Sequence, residues 1–231
     1  MLRASMKMTA AALAAGAMLT ACGQVKMGAA AVLSSSPRIS ASTVAAQVTN
    51  LNQGYLRYKG KVTLQYPVSR MPQQVLGWLV KFRVRDELAA MQGIRVTPAQ
   101  VQRAMAQIRA QAQSSPGTSV NLVPLAVANG LPPDQLPALA RYQAIQTALV
   151  NRLDGGKLPK SSTALQALGS QFNKAECQAA KNLDIRINPQ YGRLDYAQYS
   201  IIPASTTLSA AAGPPAPAAS ASASPQLKPA C

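Results

Sequence analysis

The side chains that could do chemistry in this chain are three cysteines and seven acidic residues, because its 231 residues include no histidine. This absence excludes histidine acid–base catalysis, the Ser-His-Asp triad and histidine metal ligands. The cysteines stand far apart, at positions 22, 177 and 231, and predict neither a zinc site nor a disulfide scaffold. Asp86 and Glu87 are adjacent and would diverge on a helix, and the sequence has no glycine-rich phosphate loop. We therefore predict a protein that is not an enzyme and that binds no metal or cofactor.

Cys22 closes a segment that is typical of a secretory signal. Arg3 and Lys7 make its beginning basic, and the uncharged stretch from Met8 to Leu19 follows them. This stretch is twelve residues long, which is too short for a membrane span of about 20 apolar residues. The segment is therefore predicted to direct export rather than to cross the bilayer permanently.

The residues Leu19-Thr20-Ala21-Cys22 resemble the lipobox of bacterial lipoproteins, in which a small residue precedes a cysteine directly after the apolar stretch. The resemblance implies that the Cys22 thiol receives a diacylglycerol group and that a peptidase cleaves between Ala21 and Cys22. Residues 1–21 are then the signal peptide, and residues 22–28 are the lipidated cysteine and its spacer. We expect a protein anchored by lipid to the outer, extracytoplasmic face of the cell membrane. An ordinary cleavage site beside an incidental cysteine is the alternative.

The mature chain is predicted to be one folded domain with a disordered tail. Its last 23 residues, 209–231, contain nine Ala, five Pro and four Ser, a composition that buries too little apolar surface to fold. Residues 29–208 have the apolar spacing of amphipathic helices, so the predicted fold class is mostly α. Six helices are expected: one from about Ser42, then Gln73–Gln92, one capped by Thr97, Ser119–Asn129, one opened by Pro132-Pro133, and Ser162–Asn182.

Strand signals are scarce and lie near the ends of this domain. Ala30–Leu33 and the alternating segment Leu183–Ile187 are predicted to pair as a short two-stranded β element. The clearest helix start is Thr97-Pro98-Ala99-Gln100. It combines an N-cap hydroxyl, a proline at the first helical position and a glutamine that can close a capping box.

Two segments resemble the chaperone module of SurA- and PrsA-like foldases. Gly93-Ile94-Arg95-Val96-Thr97 resembles the turn between two helices of that module. Ile185–Asp195, followed by Ile201-Ile202-Pro203-Ala204, resembles a segment of actinobacterial SurA-like lipoproteins. The resemblance implies a helical SurA-like domain over residues 29–208. The parvulin domain that such foldases often insert has no room in this chain, so prolyl isomerase activity is not implied.

The same resemblance implies a holdase-like chaperone that binds exported, incompletely folded proteins in a cleft between helices. Trp78 and Phe82, one helical turn apart on the helix Gln73–Gln92, are the candidate contacts with such clients. A place in the core is the alternative for this pair. Release of a client would follow from the client's own folding, since no ATP is available outside the cell.

The basic residues are concentrated early in the chain. Nine Lys and Arg but no acid lie between Lys26 and Arg85, and the loss of Arg3 and Lys7 lowers the net charge only from +16 to +14. Four of these basic residues share one polar loop with three tyrosines: Arg57, Lys59, Lys61 and Arg70.

This basic loop predicts an anionic partner. Interleaved basic and aromatic residues are also typical of nucleic-acid surfaces, but an exported lipoprotein does not meet nucleic acid, so no such partner is expected. Anionic lipids, anionic envelope polymers and acidic client segments are the partners left. The alternative function is therefore a non-catalytic adaptor or structural lipoprotein that binds polymers or a protein through its basic face. A solvated basic face without a partner is the simplest alternative.

Cys177 and Cys231 allow three arrangements in an oxidising exterior. They could form a disulfide with each other, or Cys231 could pair between two molecules. Alternatively, Cys177 stays a small, partly buried residue of the last helix, which is the arrangement that we prefer.

Overall fold

The computed structural model describes residues 28–113, 121–153, 155, 161–196 and 199–203. Ala21 and Cys22, the predicted cleavage and lipid site, lie outside the described residues, and so does the tail 209–231. Within the described residues the chain is mostly helical, so the prediction of a mostly α chain is confirmed. The helices are α1 Ala41–Arg57, α2 Met71–Met91, α3 Pro98–Gln113, α4 Leu122–Ala128, α5 Leu136–Leu153 and α6 Ser162–Leu183.

α2 is the central helix of the domain. It packs against α1, α5 and α6 and also against a strand near the end of the described residues. Because neighbours surround it, its buried residues are spread over more than one side: Met71, Val75, Leu76, Gly77, Val80, Val84, Arg85, Leu88 and Ala89.

Local capping determines the connection from α2 to α3. Gly93 has a φ of 61°, a left-handed conformation that suits glycine at a helix end. Thr97 and Gln100 form the predicted capping box. Gln100 Oε1 accepts a hydrogen bond from Thr97 N at 2.7 Å, and Thr97 Oγ1 accepts one from Gln100 N at 3.3 Å. The prediction of a helix start at this point is confirmed.

The two ends of the domain meet in a three-stranded antiparallel sheet. Its order is β2 Ile39–Ser40, β1 Ala29–Val32 and β3 Arg186–Ile187. Ala31 lies opposite Ile187 across β1 and β3, so the predicted pairing of these two segments is confirmed. β2 has no counterpart among the predicted strands.

The sequence does not predict the second sheet, an antiparallel hairpin of β4 Arg193–Asp195 and β5 Ser200–Ile202. Each strand has only three residues, too few for a recognisable alternation. A Cβ atom on Gly192 would lie 2.1 Å from the main-chain oxygen of Ile202, so the hairpin requires glycine there. β5 packs on α2 and buries Ile201.

Candidate functional site

Trp78 and Phe82 lie side by side on α2, with 5.8 Å between their ring centroids. Both are half-buried. Trp78 Nε1 donates a hydrogen bond of 3.1 Å to the main-chain oxygen of Asn129, and the Lys81 ammonium lies 5.1 Å from the centre of the indole. These contacts fix the orientation of the indole. The hydrogen bond also gives its half-buried N–H group an acceptor, without which burial would cost free energy.

Trp78 forms one wall of an open cavity of about 200 Å³, which we call the apolar cleft. α2, α3 and α4 contribute walls, and so do the start of α5 and the turn before it. Leu125 is 44% exposed, so a large apolar side chain of the lining is open to solvent. Asn129 is the one polar residue of the lining, whose other members are Trp78, Ile108, Leu122, Leu125, Ala126, Leu131, Leu136 and Leu139.

Phe82 lines a different cavity of about 230 Å³, which we call the mixed cleft. Its lining combines apolar and charged residues: Arg38, Ile39, Thr43, Leu79, Phe82, Arg83, Asp86, Gln135 and Ala138. The structure thus brings the two predicted contact residues together but places them on neighbouring clefts. The rings of Trp78 and Phe82 are tilted by 34° to each other, and each lines its own cleft.

The charge of the mixed cleft is positive. Asp86 Oδ1 accepts a hydrogen bond of 2.9 Å from Arg141 Nε, so its carboxylate is already paired. Arg38 and Arg83 have no salt bridge among the described residues. Two arginines next to an apolar wall suit a ligand with a carboxylate beside an apolar group.

The predicted basic residues lie at one end of the domain, where α1 connects to α2. We call Leu56–Arg70 the basic segment. Its four basic residues are all exposed: Arg57, Lys59, Lys61 and Arg70. None of the helices in the described part of the chain has the length and apolar character of a membrane span. These four residues are separate from both clefts, whose linings do not include them.

Arg85 is the residue that the sequence analysis misses. Its side chain is only 2% exposed, and its Nη2 atom pairs with Glu176 Oε1 at 2.9 Å. The guanidinium carbon lies 3.9 Å from the ring centre of Tyr142 and 4.6 Å from that of Phe172. It also donates a hydrogen bond to the Tyr142 hydroxyl. The sequence feature that indicates its burial is its position between Val84 and Leu88, on the apolar side of a predicted helix.

This buried pair affects the ionisation of its neighbours. Burial lowers the pKa of Lys81, and the charge of Glu176 partly opposes that shift. Burial raises the pKa of Tyr142, and the positive charge of Arg85 opposes this change. Two nitrogens of Arg85, Nε and Nη1, are buried without a hydrogen-bond acceptor among the described residues. The cluster therefore ties α2 to α5 and α6 at an electrostatic cost, and we assign it a structural role.

No family model, curated protein or solved structure matches this chain. Within the described part of the chain, no three His, Cys, Asp or Glu side chains are grouped as a metal site requires.

Cys177 on α6 forms a disulfide bond, so the preferred arrangement of a cysteine without one is wrong. It is partly buried, as expected. The two other cysteines of the chain, Cys22 and Cys231, both lie outside the described residues.

Proposed function

We propose that this protein is a lipid-anchored, SurA-like holdase that binds apolar segments of exported, incompletely folded proteins. The single observation that supports this best is the apolar cleft, an open cavity of about 200 Å³ with almost entirely apolar walls. Trp78 and Leu125 line this cavity, and an apolar side chain that entered it would bury their exposed surface.

The size of the cleft suits weak and reversible binding. Burial of one large apolar side chain contributes about 1.5–3 kcal/mol, whereas a Kd of 1 mM corresponds to about 4 kcal/mol. A client held by one or two such contacts dissociates readily. Release then requires no ATP, because a client that buries the same side chains in its own core no longer binds.

The mixed cleft indicates which client segments this protein would prefer. An apolar side chain in the apolar cleft would place the following residues of a client across the Trp78–Phe82 pair. An acidic side chain there would meet Arg38 and Arg83. We therefore expect preferred segments to be apolar with an acidic residue nearby.

The SurA-like assignment is part of the same proposal. Two segments support it: the turn from Gly93 to Thr97, which lies between α2 and α3, and the motif Ile185–Asp195 that follows α6. Anchoring through Cys22 is proposed from the lipobox-like residues that precede it. Labelling with radioactive palmitate in a bacterial host tests the anchor, since Cys22→Ala should abolish the label.

The experiment for the holdase measures light scattering by a thermally unfolding model protein while the mature chain, residues 22–231 without lipid, is titrated in. We expect suppression of scattering that persists in about 1 M salt, where the Debye length falls to about 3 Å. Suppression that disappears in this salt would assign binding to charge alone. Unchanged scattering at several-fold excess would overturn the holdase.

The second candidate function is the adaptor, and the exposed basic segment favours it. It predicts that neutralisation of Arg57, Lys59, Lys61 and Arg70 abolishes binding to an envelope polymer or a protein partner. The holdase predicts only a small change in scattering for that variant, because the basic segment lines neither cleft.

A further inference from the structure

We propose that the basic segment is a second, non-covalent membrane contact that docks on an anionic lipid surface. Its four basic residues are exposed, and two large apolar side chains of the same segment are exposed as well. Leu56 is 56% exposed and Val68 is 52% exposed. Basic residues together with exposed apolar ones are the combination by which proteins lie in the interface of an anionic bilayer.

The packing of the basic segment displays these side chains outward. Between residues 61 and 67, burial alternates along the chain: Val62, Leu64 and Tyr66 pack against the core, whereas the residues between them are exposed. Gln65 N donates a hydrogen bond of 3.1 Å to Ala128 O, and the Tyr66 hydroxyl donates one of 3.3 Å to Val127 O. Because the inner side is fixed to α4, the outer side forms a defined surface.

Charge complementarity identifies the partner as anionic. The chain has no acidic residue between Lys26 and Arg85, so nothing within the basic segment neutralises it. Arg57, Lys59, Lys61 and Arg70 form no salt bridge with any described residue. Among the described residues, Asp134 is the acid hydrogen-bonded to α1. Its carboxylate accepts from Gln47, ten residues or about 15 Å of helix before Arg57, and its main-chain N–H donates to Asn50.

The exposed apolar residues favour a bilayer over a soluble polyanion. A polymer of phosphates or carboxylates gains nothing from Leu56 and Val68, whereas a bilayer buries such side chains in its interfacial region. Each buried side chain then contributes in addition to the charges.

The basic segment and the proposed lipid anchor lie at opposite ends of α1. The proposed anchor lies just before Gly28, and Gly28 O accepts a hydrogen bond from Ala41 N at the start of α1. The basic segment begins at the other end of α1, whose 17 residues span about 25 Å. The six residues from Cys22 to Gly28 reach about 20 Å. Contact at both ends would therefore hold α1 along the membrane surface.

The experiment uses the mature chain, residues 22–231 without lipid, and measures its flotation with vesicles. One set contains equal parts of phosphatidylcholine and phosphatidylglycerol, and the other contains phosphatidylcholine alone. We expect binding to the mixed vesicles only, and release in about 1 M salt. The variant R57Q/K59Q/K61Q/R70Q should lose about a hundredfold in partition coefficient, since each basic residue near an anionic surface contributes up to about fivefold.

A matched variant controls for net charge. R95Q/R103Q/R109Q/K174Q removes the same four charges from exposed positions elsewhere and should bind the mixed vesicles almost as the parent does. L56S/V68S should lose about tenfold on these vesicles but bind soluble polyphosphate unchanged. Scattering by the unfolding model protein should stay the same for every variant, so that this proposal and the holdase can fail separately.

Three results would overturn the membrane contact. The first is absence of binding to the mixed vesicles by the parent chain. The second is an equal loss in both four-residue variants, which would assign binding to net charge. The third is an L56S/V68S variant that binds vesicles like the parent, which would make a soluble polyanion the partner of the basic segment.

Discussion

Trp78 Nε1 donates a hydrogen bond of 3.1 Å to the main-chain oxygen of Asn129, the residue that ends α4. This bond joins the central helix to the end of the short helix that also lines the apolar cleft. The same indole ring contacts Phe82, which lines the mixed cleft. A ligand in the apolar cleft would therefore contact Trp78, and a ligand in the mixed cleft would contact its neighbour Phe82.

Emission from Trp78 should report occupation of the apolar cleft directly, because it is the one tryptophan in the chain. Addition of an unstructured apolar peptide without tryptophan should shift the emission to shorter wavelength, since the peptide displaces water from the indole. A polar peptide of the same length serves as the control. An unchanged spectrum at concentrations that suppress scattering would place client binding elsewhere.

Leu125 and Leu165 form a matched pair for testing the apolar cleft. They are 44% and 47% exposed, but only Leu125 lines the cleft. Leu125→Asp should weaken suppression of scattering several-fold, because a client bound in the cleft would have to desolvate the new carboxylate, which costs free energy. Leu165→Asp should have little effect. Equal effects of the two substitutions would contradict the assignment of the cleft as the client site.

Removal of one partner from the Arg85–Glu176 pair should lower the free energy of unfolding strongly, whereas apolar replacement of both partners should lower it only slightly. Glu176→Leu leaves a buried guanidinium without its counter-charge and should lower the free energy of unfolding by about 3 kcal/mol. Arg85→Met combined with Glu176→Leu should recover most of that loss. Urea unfolding of the four members of the cycle measures the coupling.

The exposed pair of Asp86 and Arg141, 41% and 48% exposed, is the control for this cycle. Asp86→Asn should cost less than about 1 kcal/mol. If Glu176→Leu proved as mild as Asp86→Asn, the cluster around Arg85 would not have the structural role assigned to it.

Alkaline pH should destabilise the packing of the basic segment through Tyr66. Burial raises the pKa of Tyr66 from 10.0 to about 12, so the folded state retains a proton that the unfolded state loses. The resulting stabilisation is complete below about pH 10 and is lost as the pH rises towards 12. The unfolding free energy of the parent should therefore fall more steeply over this interval than that of Tyr66→Phe.

Urea titrations at about pH 8 and about pH 11 compare these two proteins. Burial also raises the pKa of three other tyrosines, Tyr142, Tyr196 and Tyr199. The parent and the Tyr66→Phe variant should therefore both lose some stability between these two pH values. Parallel losses in the parent and in Tyr66→Phe would show that Tyr66 does not contribute.

The disulfide of Cys177 tests the proposed lipid anchor. If Cys22 carries a diacylglycerol thioether, its sulfur is not available, and Cys231 becomes the expected partner within one chain. Mass spectrometry of peptides from non-reduced protein, purified from a host that attaches lipid, should find Cys177 linked to Cys231. A peptide that links Cys177 to Cys22 would contradict lipid attachment.

The sequence by itself determines the helices and the capping that starts α3. These features depend on residues close together in the chain or on a plain apolar pattern. The Thr97 and Gln100 side chains cap α3 through atoms three residues apart. The absence of histidine and the acid-free stretch before Asp86 are likewise properties of the sequence alone.

Only the tertiary structure decides what lies between the helices. Ile108, Leu122 and Leu139 come from three separate helices, and no spacing in the chain indicates that they share a cavity with Trp78. The structure also places Phe82 on a different cleft and buries Arg85 within the core. Periodicity specifies which side of a helix is apolar, but a cleft or a buried ion pair depends on how neighbouring helices are packed, and that geometry arises only in the folded chain.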